Sequence, residues 1–171
     1  MSFDEIFDRV VQHEGGFSDD PNDPGNWTGG RVGKGKLKGT KYGVSAASYP
    51  KLNIRALTLE QAKEIYKQDF WAKIYADRLP PGAAFQLLDF AVHSGVETGI
   101  RALQRAVEVA DDGDWGPITQ AAVEKTSHAD LIMGLCAERC IYMARLSNWD
   151  RNSRGWIRRI AENLKFGIRD S

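Results

Sequence analysis

Cysteine is scarce in this sequence, with only Cys136 and Cys140 among 171 residues. Two thiols over this length build no disulfide framework. Their four-residue spacing in a helical pattern reads as small core side chains. Histidine is nearly as rare. His13, His93 and His128 stand far apart with no ligand spacing, so a zinc site is not expected, nor is any other metal or cofactor. A Ser-His-Asp triad lacks its nucleophile elbow. In "GGRVGKGK" no Lys-Ser/Thr pair opens a helix, as a phosphate loop requires. No run approaches the roughly 18 apolar residues of a membrane span, and "MSFDEIF" lacks the basic and apolar regions of a signal peptide. The expectation is a soluble chain made in the cytoplasm, without membrane insertion, that something else must release. Net charge is missing as well: Lys+Arg and Asp+Glu both number 23. Charge balance therefore points to no nucleic acid. Acid is absent locally, since Pro24 to Leu59 holds seven basic residues and no acidic one. The stretch from Arg145 onward also carries seven basic residues. Both regions suit a polyanionic surface, or they are scattered solvated charge.

What is present is the balance of a globular protein, 42% hydrophobic and 27% charged, sized for one domain or one domain with a small lobe. Phe3, Ile6, Phe7, Val10 and Val11 recur at helical spacing, and the helix should stop near Glu14, where Gly15 can take a left-handed cap. Residues 18–45 are dense in turn formers and read as turns with a small hairpin ending in "TKYGVS". Thr58 and Gln61 form a capping box that opens a helix. "AAFQLLDFAVHSG" is apolar almost all round, which predicts a central buried helix. Pro117 suits the first turn of a helix after "DDGDWGP". Two more helices follow, over 128–147 and from Trp156 to Ile168. The fold class is mainly α, with a small β or loop region near 17–45.

Carboxylates are the remaining chemistry. Glycosidic cleavage needs a protonated acid for the leaving oxygen and a group that delivers water or stabilises an oxocarbenium-like centre. Glu14 suits the first role. The carbonyl end of a helix and apolar neighbours both disfavour its charged form, and Gly15 and Gly16 leave room for a polymer. Asp20 and Asp23 in "DDPNDPG" are candidates for the second role, although Asp-Pro pairs also simply start turns. Trp27, Tyr42 and Trp71 have faces that stack on sugars, with Trp71 reading more as core. Asp89 and His93, four apart, suit a buried hydrogen-bonded pair.

"HEGGFSDDPNDPG", "TKYGVS", "IYKQDFWAKIYADRLPPGAAFQLLDFAVHSG" and "ALQRAVEVADDGDWGPIT", in that order, resemble glycoside hydrolase family 108. These are lysozyme-like N-acetylmuramidases of phages and prophages, often labelled secretion activators. The resemblance spans nearly the whole chain. It implies a lysozyme-like α+β fold, with a catalytic region over 1–95 and a helical, peptidoglycan-binding-like region over 96–171 packed on it. The family's catalytic glutamate falls on Glu14. By analogy with related phage lysozymes, which hold water with a carboxylate and a threonine, Asp23, Asp20 and Thr40 become candidate catalytic partners. The insertion "NWTGGRVGKGKLKG" departs from the family pattern and reads as an extra substrate-facing loop or a mobile exposed one. Trp27, Tyr42, Asp112 and Trp115 are candidate substrate contacts. The implied function is an endolysin that hydrolyses the β-1,4 bond between N-acetylmuramic acid and N-acetylglucosamine. A non-catalytic peptidoglycan-binding regulator, a lytic transglycosylase and a chitinase remain as alternatives. Expected partners are peptidoglycan glycan strands and a holin or secretion system for release, with the chain itself acting as a monomer.

Overall fold

The structure, a computed structural model, describes residues 1–12 and 16–170. Among these lie seven α-helices and one two-stranded antiparallel sheet, the mainly α class that the sequence predicts. The chain forms two compact units, one from Phe7–Lys67 and the other from Met1–Ile6 with Gln68–Ser171.

Helix α1 (Phe3–Gln12) starts at a reciprocal cap. The Glu5 carboxylate accepts from the Ser2 N–H at 2.7 Å, and Glu5 N–H donates to the Ser2 hydroxyl at 3.3 Å. This arrangement satisfies two of the four N–H groups a helix start leaves without partners. The expected helix end at Glu14 and the Gly15 cap lie outside the described residues. In the Phe7–Lys67 unit, β1 (Thr40–Lys41) pairs antiparallel with β2 (Val44–Ser45), Thr40 opposite Ser45. Tyr42 and Gly43 between them both have positive φ, 51° and 74°, the geometry that matches the right-handed twist of a two-residue hairpin. A tyrosine there is strained. Its carbonyl is held by the Tyr66 hydroxyl, which donates to it at 3.0 Å. Helix α2 (Leu59–Tyr66) opens on the Thr58–Gln61 capping box that the sequence predicts. Phe7 and Tyr66 meet edge to face at 5.2 Å in this unit's core.

The second unit is built around α3 (Pro81–Ser94), in which every residue from Gly82 to Ala91 is buried. It packs against α4 (Val96–Ala106), α6 (His128–Ala144) and α7 (Trp149–Asp170). Burying each of Phe85, Leu87, Leu88 and Phe90 stabilises the unit by about 1.5–3 kcal/mol. Helices α4 and α6 approach closely because Gly134 has no side chain: a Cβ there would stand 2.9 Å from that of Ala106. Helix α5 (Pro117–Lys125) has Pro117 in its first turn, as expected. Trp71 is core, 7% exposed, edge to face with Phe3 at 5.1 Å.

Asp89 differs from its sequence reading. Its partner is not His93 but a cluster from α6 and α7. Arg139 and Asn163 donate to Oδ2, and Arg159 donates to both oxygens. His93 instead meets the Trp156 ring edge to face at 5.8 Å. A carboxylate that is 0% exposed is held by charge, and two guanidiniums satisfy it better than one imidazole.

Candidate active site

Glu14 lies outside the described residues, so the site is built from the chain that follows it. Two residues past the gap, Phe17 is half-buried. Ser18 then pairs with Thr40: Ser18 N–H donates to the Thr40 carbonyl at 2.9 Å, and Thr40 N–H donates back at 2.8 Å. The Asp-Pro turn follows. Asp20 Oδ1 accepts from the Asn22 backbone and side chain at 2.9 and 3.0 Å. Asp23 caps a single turn of 3-10 helix, accepting from Gly25 N–H at 2.8 Å. Each aspartate thus spends one carboxylate oxygen on the turn, the role Asp takes before Pro. Both side chains are exposed.

Asn26 ties the turn to the strand, which the sequence reading missed. It is 0% exposed. Its side chain donates to the Asp20 carbonyl at 3.0 Å, and its own carbonyl accepts from Lys38 and Gly39 at 2.9 and 3.1 Å. A continuous set of hydrogen bonds therefore runs Asp20–Asn26–Gly39, next to Thr40, and back to Ser18. Three of the sequence candidates, Asp20, Asp23 and Thr40, come together on one loop cluster. Trp27 is half-buried, its indole N–H donating to the Pro21 carbonyl at 2.9 Å.

The insertion, residues 26–39, is a hydrogen-bonded excursion. Trp27 bridges Leu37, Thr28 N–H donates to Lys36, and Gly29 N–H to Lys34. It returns the chain to Thr40, which pairs with Ser18 despite the added length. The return depends on Gly39. Its φ is 89°, and a Cβ there would sit 2.6 Å from the Ser18 carbonyl and 2.7 Å from the Phe17 ring. Gly39→Ala is expected to cost about 1–3 kcal/mol and to depress turnover through the displaced strand. Thermal melting and a turbidity assay on the same variant check this, and wild-type values for both would show that the Ser18–Thr40 pairing is dispensable.

Beside this strand lies a groove of about 440 Å³. Phe17 and Leu37 supply its apolar lining, Lys38, Lys51 and Arg55 its positive charge, and Asp19 and Asn53 complete it. Arg55 is fixed twice, by Asp19 at 2.8 Å and over the Phe17 ring at 4.3 Å. Lys38 Nζ donates to the carbonyls of Pro50 and Leu52 at 2.7 and 3.3 Å. The Asp19–Arg55 pair joins residues 36 apart, and no local motif announces it.

The glycosyl hydrolase 108 family model matches residues 7–95. The chain belongs to glycosyl hydrolase family 108. Among solved structures, SagA of Brucella abortus is 31% identical, with a TM-score of 0.84 over 99% of this chain and 95% of that one. No curated protein matches in sequence. Membership of family 108 makes the chain a glycoside hydrolase of lysozyme-like, peptidoglycan-cleaving type, with a glycan as its substrate. Among the described residues, no helix is long and apolar enough to cross a membrane.

This family 108 chain carries its other two sequence candidates, Asp112 and Trp115, in the second unit. Gln104 of α4 organises their loop. Its amide donates to Asp112 Oδ1 at 2.6 Å, and its oxygen accepts from Gly113 N–H at 2.8 Å. The Asp114 N–H and Gln104 hold the Asp112 carboxyl below its usual pKa. Trp115 donates to Gln120 at 3.1 Å and stacks on Tyr75 at 5.3 Å. Tyr75, 40% exposed and at a φ of 53°, is an aromatic face that no sequence signal marked.

Proposed function

We propose that the chain is an endolysin-type N-acetylmuramidase that hydrolyses the β-1,4 bond between N-acetylmuramic acid and N-acetylglucosamine. Glu14 donates its proton to the leaving glycosidic oxygen. Asp23, with Asp20 and Thr40 beside it, holds the attacking water or stabilises the developing positive charge. One observation carries this reading. The Ser18–Thr40 pairing joins the chain just after Glu14 to the strand bearing Thr40, with the Asp20–Asp23 turn closed between them. Residues 1–95 form the catalytic region in this reading, and 96–171 the wall-binding one, with Trp27, Tyr42, Asp112 and Trp115 contacting the polymer. Action on the cell wall as a monomer, after release by a holin or secretion system, belongs to the same proposal.

Digestion of purified peptidoglycan followed by mass spectrometry tests it. Reducing N-acetylmuramic ends support the proposal. Anhydro-muramic ends would make the chain a lytic transglycosylase, and cleavage of chitin oligomers alone a chitinase. Absence of any cleavage would leave a non-catalytic binder.

The role of Asp23 has its own test. Asn caps a helix start as well as Asp does, so Asp23→Asn should keep the bond from Gly25 N–H and leave the melting temperature unchanged. Turnover should nevertheless fall by about tenfold or more, since the charge is gone. A variant with normal turnover confines Asp23 to the turn. If Asp20→Asn shows the defect instead, the partner carboxylate is Asp20.

A further inference from the structure

We propose that the groove beside Phe17 binds the free carboxylates of the peptide stems that hang from the glycan, so that the enzyme reads peptide as well as sugar. The inference rests on the peptidoglycan reading above. In intact peptidoglycan the glycan itself offers no anion, because the lactyl carboxyl of each muramic residue is consumed in the amide bond to its stem. The negative charge nearest the scissile bond therefore belongs to the stem.

The groove is built for such a group. Three cations face one carboxylate, Asp19, and Arg55 already pairs with that one. No acid lies between Pro24 and Leu59, the stretch that supplies all three cations. Lys38 is half-buried and held before any ligand arrives, while Arg55, 71% exposed, has partners at the groove's edge. Arg55 is held between Asp19 and the Phe17 ring, with guanidinium N–H groups left over. Lys38 uses two of its three ammonium donors on the Pro50 and Leu52 carbonyls. Pre-set donors lose little conformational entropy on binding. Lys51 is exposed at the same groove and adds the third charge. Phe17 and Leu37, the latter 40% exposed, give the methyl and methylene groups of a stem an apolar surface. The volume, about 440 Å³, lies within the range of small-ligand sites. Phe17 also connects the groove to chemistry, since it precedes Ser18, the residue that pairs with Thr40.

The test titrates the full chain with a synthetic stem tetrapeptide and with the same peptide after its carboxylates are amidated. The free-acid peptide should bind wild type about fivefold or more tightly than the amidated one, as two or three exposed charge contacts allow. Lys51→Gln, checked by circular dichroism, should erase most of that difference, and Lys51→Arg should restore it. Equal binding of both peptides by wild type, or full discrimination by Lys51→Gln, overturns the proposal. Cleavage of glycan stripped of its stems by an amidase is measured alongside. A chain that cleaves stripped glycan yet does not distinguish the peptides sinks the stem site alone. A chain that distinguishes the peptides yet cleaves no glycan sinks the muramidase reading and keeps the groove.

Discussion

Glu14→Gln is expected to abolish wall lysis while leaving the fold unchanged. The amide keeps the size and polarity of the side chain but has no acidic proton for the leaving oxygen, a loss on the order of 10²-fold or more. The expectation follows from position. Glu14 stands just beyond α1 (Phe3–Gln12) and four residues before Ser18, the residue that pairs with Thr40. Clearing of a wall suspension and circular dichroism on one preparation decide it. A Glu14→Gln variant that lyses within a few-fold of wild type would remove Glu14 as the acid.

The second large effect is on stability. Asp89 is 0% exposed, and its two arginine partners are nearly so: the side chains of Arg139 and Arg159 are 2% and 13% exposed. Asp89→Asn removes the carboxylate that Arg139 and Arg159 share and leaves the buried Arg139 guanidinium facing a neutral amide. The expected cost is about 3–5 kcal/mol, or a melting temperature lower by about 6–20 °C. The pH dependence is a second readout. Burial pushes the Asp89 carboxyl up, but the charges and hydrogen bonds of Arg139 and Arg159 outweigh it and hold the group well below the usual carboxylate range. A depressed folded pKa means the unfolded chain takes up the proton first. The stabilisation is therefore complete above about pH 5, where an unfolded aspartate is ionised, and is lost progressively as pH falls toward the depressed folded pKa. The melting temperatures of wild type and Asp89→Asn should converge in acid. Curves that stay parallel from pH 7 to pH 3 would show that the cluster contributes no carboxylate-dependent stability.

The features readable in the sequence are those whose partners are close along the chain. The Thr58–Gln61 box, the Tyr42-Gly43 hairpin, Pro117 at the start of α5 and the Asp20 and Asp23 turn bonds each join groups within a few residues. The Ser2–Glu5 box belongs to this class and was open to the same reasoning. The continuous apolar run of α3 was readable for another reason: a helix without a polar face has nowhere to sit but the interior. Features whose partners are remote were not readable. The Asp19–Arg55 pair spans 36 residues, and the Asp89 contacts to Arg139, Arg159 and Asn163 span 50, 70 and 74. For Asp89, local spacing suggested His93, and tertiary charge won. The glycines of the insertion read as freedom, yet Gly39 is there because a close approach to Phe17 and Ser18 leaves no room for a side chain.

The division of the chain into units has a consequence for synthesis. One unit is a single continuous stretch, Phe7–Lys67, whereas the other combines Met1–Ile6 with Gln68–Ser171. On a ribosome, Met1–Ile6 emerges long before the rest of its own unit, which starts at Gln68. Phe3 must wait for Trp71, its ring partner. At about 5–20 residues per second that interval is roughly 3–14 seconds. A ten-residue helix is marginal in water on its own, so the first six residues spend this time without their native packing. The Phe7–Lys67 stretch, by contrast, has all its own residues as soon as it is out. The Met1–Ile6 segment, made well before the rest of its own unit, is therefore a natural point for a chaperone to hold until Gln68 and the residues after it are complete.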